Sequence, residues 1–189
     1  KKLVPGQREL ELALSQPHDG VYPAHLAAQS AHREVLKWIC SQMGANCSAR
    51  SLEKTYGRTA VHFACVGGEK DDAGRGRTRL DIVKYLVREV KIMPGDEDDL
   101  GITAVELAGV TGHLSIVKYL LLEQRVDLEG LFHAKRAGAL NATVDKWVMD
   151  YVPKGMYENW LRIGKPPHQP KKAAAKRRRR RRSKEKKEL

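Results

Sequence analysis

Residues 101–122 read GITAVELAGVTGHLSIVKYLLL, and this stretch occurs in three versions along the chain. Upstream, residues 20–39 read GVYPAHLAAQSAHREVLKWI. Between them, residues 57–68 read GRTAVHFACVGG, and the pattern resumes at residues 79–87 as RLDIVKYLV. The starts fall 37 and 44 residues apart, and the second interval shrinks to 34 once a ten-residue insertion, Glu69–Thr78, is set aside. Self-similarity at this period is the mark of a repeat architecture.

Each copy divides into two helices. In the first copy Pro23 sits where the first helical residue belongs, since its missing N–H is not needed there. Leu26, Ala27 and Ala28 then make a short helix of small or apolar residues that a neighbour can approach closely. Later in each copy come Val35, Leu36 and Ile39, then Ile82, Val83 and Leu86, then Ile116, Val117, Leu120 and Leu121. That spacing is the apolar stripe of a second, antiparallel helix. One helix pair cannot bury such a stripe alone, so stacking has to supply the core.

The pattern resembles the ankyrin repeat, whose signature is T-P-L-H-x-A near the start of a unit of about 33 residues. The matching residues are Tyr22-Pro23-Ala24-His25-Leu26-Ala27, Thr59-Ala60-Val61-His62-Phe63-Ala64 and Thr103-Ala104-Val105-Glu106-Leu107-Ala108. The Gly112-His113 pair and the V-K-Y-L run of the second helices add to the match. Tyr22 departs from the signature Thr, Ala60 and Ala104 from the Pro, and Glu106 from the His. The resemblance implies an all-α solenoid of about four stacked helix-turn-helix units with short hairpin loops. It also implies that His25 and His62 hydrogen-bond backbone and fix a turn rather than serve in acid–base chemistry.

The flanks divide accordingly. Residues 1–18 read as an N-terminal helix or partial repeat, with Leu10, Leu12 and Leu14 in QRELELALSQ. The repeat domain runs over 19–151 and ends in a degenerate fourth unit, EGLFHAKRAGALNATVDKWVMDY, at residues 129–151. Residues 152–164 offer a helical cap, and residues 165–189 an extended basic tail without apolar periodicity.

Charge follows the same division. The chain of 189 residues carries a net charge of +12, yet residues 1–164 hold 22 basic and 21 acidic residues. Residues 165–189 hold 13 basic and 2 acidic residues, a net of +11. Lys176, Arg177, Arg178, Arg179, Arg180, Arg181, Arg182 and Lys184, with Lys186 and Lys187, place ten cations in twelve residues. A block of this kind binds phosphate polyanions with little regard to sequence. It reads as an arm on RNA or DNA, as a nuclear import signal, or as a solubilising tail. Arg180-Arg181-Arg182-Ser183 also looks like a basophilic-kinase acceptor, and a phosphate there would weaken polyanion binding.

Two smaller features are candidate contact sites. The insertion reads as a projecting loop in which Arg75, Arg77 and Arg79 stand on a Gly-rich backbone suited to phosphate contact. Asp96-Glu97-Asp98-Asp99 lacks the spacing of a calcium loop and falls, by resemblance, on a hairpin between repeats. Asp96, Asp98 and Asp99 are therefore candidate protein-binding residues, or a resting place for the basic tail.

The remaining signals are negative. No P-loop, G-x-S-x-G or H-E-x-x-H occurs, so an enzyme is not expected. Cys40, Cys47 and Cys65 are odd in number and irregular in spacing, so three buried thiols in a reducing intracellular compartment are expected. No paired metal-ligand motif, cofactor motif, secretory leader or bilayer-length apolar run is seen. The expected function is a non-catalytic adaptor or structural subunit of a large ribonucleoprotein, ribosome-like assembly, binding protein through the repeats and RNA through the tail. The alternative is a nuclear ankyrin-repeat regulator whose tail is an import signal.

Overall fold

A computed structural model describes residues 14, 16–43, 47–48, 50–51, 56–67 and 75–153. The expected helix over 7–16, the cap and the tail fall, apart from Leu14, Gln16, Val152 and Pro153, outside these residues. Among the described residues there are eight α-helices and no strand. They pair as α1 (Pro23–Gln29) with α2 (Arg33–Met43), then α3 (Ala60–Val66) with α4 (Arg75–Arg88). Next come α5 (Ala104–Thr111) with α6 (Leu114–Lys118), which runs on into a π-helical turn over Tyr119–Glu123. The last pair is α7 (Glu129–Arg136) with α8 (Ala142–Tyr151).

Local chemistry sets these boundaries. Pro23 opens α1 as its first residue. The Thr103 hydroxyl accepts from the Glu106 N–H at 3.4 Å, and the Asn141 side chain caps α8 through the Thr143 N–H at 3.0 Å. Gly112 ends α5 at φ +87°, a left-handed cap that glycine adopts without steric cost. The chain can then reverse at once into α6.

Stacking forms the core. Helices α1, α3, α5 and α7 make one row, and α2, α4, α6 and α8 pack behind them in a second. Ala24, Ala28, Ala60, Ala64, Ala104 and Ala108 are buried in the first row, where missing side-chain bulk allows close approach. Leu36, Ile82, Val83, Leu86, Ile116, Val117, Leu120, Val144 and Val148 fill the space behind them. Each buried aliphatic side chain contributes roughly 1.5–3 kcal/mol. Because those contributions cross unit boundaries, stability belongs to the stack.

Val35 departs from the expected stripe and is half exposed. The equivalent Ile82 and Ile116 are buried because α4 and α6 are each packed by second helices on both sides. Among the described residues, α2 has only α4 for such a neighbour. Cations tie the second row across its units: Lys84 Nζ lies 5.4 Å from the Tyr119 ring centre, and Lys118 Nζ 5.6 Å from that of Trp147.

Two expectations are corrected. Cys40 and Cys47 are joined in a disulfide, so only Cys65 is the expected buried thiol. Their spacing looks irregular along the sequence, but the fold places their Cα atoms 5.3 Å apart, within bonding range. Burial pushes the Cys65 thiol up to about 12.

The insertion is also shorter as a loop than expected. Residues 75–78 form the start of α4, so Arg75 and Arg77 lie on a helix. Arginine is a good helix former, and Arg79 anchors this end of α4. Its Nη1 donates to the Gln29 carbonyl at 2.8 Å and to the Ala64 carbonyl at 3.4 Å. Arg79 is buried and therefore unavailable for phosphate contact.

Candidate protein-binding face

Position three of the first helices decides how neighbouring hairpins are held. In unit two the Thr59 N–H donates to His62 Nδ1 at 3.3 Å. Accepting there assigns the ring proton to Nε2, which faces the Ile102 carbonyl of the next hairpin at 3.2 Å. Unit one repeats the first contact, with the Tyr22 N–H on His25 Nδ1 at 3.3 Å. The His25 ring also stacks on Phe63 with centres 4.8 Å apart. Both imidazoles are buried and hold turns, as the resemblance implied.

Glu106 takes that position in unit three with different chemistry. Its Oε2 is buried with no hydrogen-bond partner. Burial, and then the carboxylate of Asp98, push the Glu106 pKa up to about 7. Burial holds His62 down at about 4.

The two shifts act in opposite directions. Glu106 binds its proton more tightly folded than unfolded, so its contribution is present below about 4.5 and is lost as pH rises through 7. His62 binds its proton less tightly folded, so its contribution is present above 6.5 and is lost as pH falls toward 4. Glu106→Gln should therefore stabilise the protein at pH 8 by roughly 1–2 kcal/mol. Between pH 4.5 and 6.5 the variant should gain stability with pH more steeply than the wild type. Urea unfolding at pH 5, 6.5 and 8 checks this, and parallel curves for the two proteins would refute it.

The acidic run largely straps one hairpin to the next. Asp98 is turned inward, where Oδ1 accepts from the Leu100 N–H at 2.8 Å and the Ile102 N–H at 3.0 Å. Its Oδ2 accepts from Arg58 Nε at 3.0 Å. Arg50 donates to the Gly57 and Glu97 carbonyls at 3.1 and 2.7 Å and pairs with Asp96 at 3.1 Å. The Asp99 N–H donates to the Tyr56 carbonyl at 2.7 Å.

Of the three acidic candidates, Asp98 is thus spent on the turn, Asp96 pairs with Arg50, and Asp99 lies over Gly57. Sequence reading missed Arg50 and Arg58. The available signal was Asp98 three residues before Gly101, the spacing of a carboxylate-capped turn. Arg75 and Arg77 lie on α4, and Lys176–Arg182 and Lys184 fall outside the described residues.

The first-helix row remains accessible and apolar. Leu26, Phe63 and Leu107 occupy the same helical position in α1, α3 and α5, and Leu26 is 49% exposed. Val110, one turn further along α5, is 39% exposed. A row of equivalent apolar residues flanked by hairpins is a candidate surface for protein contact.

A family model of ankyrin repeats matches residues 25–130 in three copies, more than half of the chain. The chain belongs to the ankyrin-repeat family. The mouse protein fem-1 homolog A-like is 28% identical over 119 residues, which cover 63% of this chain and 16% of the mouse protein. The chain thus spans a small part of that relative's length. Ankyrin repeats are typically a protein-interaction module. No described helix is long and apolar enough to cross a membrane, and no group of metal-ligating side chains was found among the described residues.

Proposed function

We propose that this chain is a non-catalytic adaptor or structural subunit of a ribonucleoprotein, ribosome-like assembly. Its ankyrin repeats grip a protein partner, and its basic segment holds RNA. The observation that carries this reading is the segregation of charge. Residues 1–164, near neutral at net +1, precede a segment of net +11 whose ten cations in twelve residues match a phosphate backbone. The buried, turn-holding roles of His25 and His62 support a non-catalytic reading, since neither ring is placed to exchange protons with a substrate.

Deleting residues 171–189 should abolish RNA co-purification while leaving protein association intact. RNA affinity of the full chain should fall about 10³–10⁵-fold between 50 and 200 mM salt. RNA retention by the deletion variant would refute the anchoring role. A reporter fused to residues 171–189 that enters the nucleus, with no RNA bound by the full chain, would favour an import signal instead.

A further inference from the structure

The second row carries one dipeptide in every unit, a lysine followed by a large aromatic residue: Lys37-Trp38, Lys84-Tyr85, Lys118-Tyr119 and Lys146-Trp147. At the two later joints the lysine of one unit lies over the ring of the next. Lys84 sits on Tyr119 and Lys118 on Trp147, at 5.4 and 5.6 Å from the ring centres. Apolar positions around the dipeptide follow the same joints. Two residues before the lysine stand Val35, Ile82, Ile116 and Val144, and only Val35, 50% exposed, is not fully buried. Three residues after it, Val87 and Leu121 are buried, whereas the equivalent Met149 is 52% exposed.

The two exceptions lie at opposite ends of the stack, Val35 on α2 and Met149 on α8. A position that is buried at internal joints and bare at one end belongs to a joint lacking its other half. The rungs end in the same way. Trp38 on α2 is 46% exposed, Lys146 on α8 is exposed, and among the described residues neither takes part in a lysine–aromatic rung. One end therefore offers a ring without a lysine, and the other a lysine without a ring.

The geometry points to a second copy of this chain as the occupant: copies associate head to tail, α8 of one against α2 of the next, with Lys146 over the Trp38 ring. Val35 and Met149 fall within that contact. Polar residues at the same register are compatible. At an internal joint Arg88, four residues after Lys84, pairs with Glu123, four residues after Tyr119, at 2.9 Å. The corresponding residues of the new joint are Asp150 and Gln42, a carboxylate and an amide that can donate to it.

The two surfaces differ, so the contact is heterologous and adds copies in line. One rung and a few apolar side chains make a small interface, and association is weak and concentration-dependent. Its consequence is multivalency, since each added copy brings another protein-binding face to the same assembly. The inference does not depend on the proposed RNA role.

Sedimentation velocity on the full chain, cleared of nucleic acid, tests it. Salt of about 0.3 M screens repulsion between the basic segments. The weight-average mass should rise about 1.5-fold or more between roughly 10 and 300 µM. Trp38→Ala blocks one end, and Lys146→Glu/Met149→Glu blocks the other. Each variant alone should stay monomeric, while their equimolar mixture should form dimers and nothing larger, because one intact end of each kind remains. Trp38→Tyr keeps a ring and should restore association. Val35→Glu is a second block of the α2 end should Trp38→Ala alter the fold.

A wild-type chain that stays monomeric over this range, as when residues 152–164 cover α8 within one chain, would overturn the inference. So would a blocked variant that associates like the wild type, or a mixture that remains monomeric.

Discussion

Arg79→Ala should lower the unfolding free energy by about 3–4 kcal/mol. The guanidinium is buried and bridges the ends of two first helices, through the Gln29 carbonyl of α1 and the Ala64 carbonyl of α3. A helix C-terminus presents carbonyls with no partner inside the helix, and a cation there also meets the negative end of the dipole. Alanine removes the donors, leaves those carbonyls buried, and opens a void where the side-chain stem packed. Relaxation is limited because the neighbouring backbone is already close. A Cβ added to Gly67 would meet the Gln29 oxygen at 1.9 Å and Arg79 Nη1 at 2.6 Å. Arg79→Met separates the contributions, since it restores most of the volume and leaves the carbonyls unpaired. Urea unfolding reads both variants. An alanine variant within 1 kcal/mol of the wild type would show that the bridge contributes little to holding the first two units together.

Asp98→Ala should cost about 3–5 kcal/mol, the scale for removing one member of a buried ion pair. The substitution takes three hydrogen bonds from one carboxylate at once: those from Leu100, Ile102 and Arg58. The Arg58 guanidinium is then left partly buried without that partner, since its side chain is only 20% exposed. Asp98→Asn should cost less, because its amide oxygen can still accept from the turn while the charge opposite Arg58 is gone. Loss should concentrate at the joint between units two and three, so amide exchange should rise first at residues 98–103. A second readout is electrostatic. The Asp98 carboxylate helps keep Glu106 protonated, so in either variant the Glu106 titration should move down from about 7. An unmoved titration would show that burial alone sets it.

The repeat architecture was legible for a plain physical reason. Apolar residues such as Ile116, Val117 and Leu120 recur at the helical period, and the whole pattern recurs along the chain. Even the degenerate fourth unit was visible, because Trp147 and Val148 keep that period where the signature residues are lost. The charged residues were less legible. Arg75, Arg77 and Arg79 look equivalent on a Gly-rich segment, yet α4 begins at Arg75 and turns Arg79 toward carbonyls 50 and 15 residues away. Asp96, Asp98 and Asp99 look like one acidic surface, yet Asp98 faces inward to close a turn. Cys40 and Cys47 have no telling spacing until the fold places them side by side.

The sequence by itself determined the helical units, their order and the concentration of charge in residues 165–189, because composition and periodicity are properties of neighbours along the chain. Only the tertiary structure decided which charged groups act as struts. Whether a carboxylate or guanidinium is desolvated depends on what the next unit places against it. That is why Arg79 and Asp98, both buried, hold the stack.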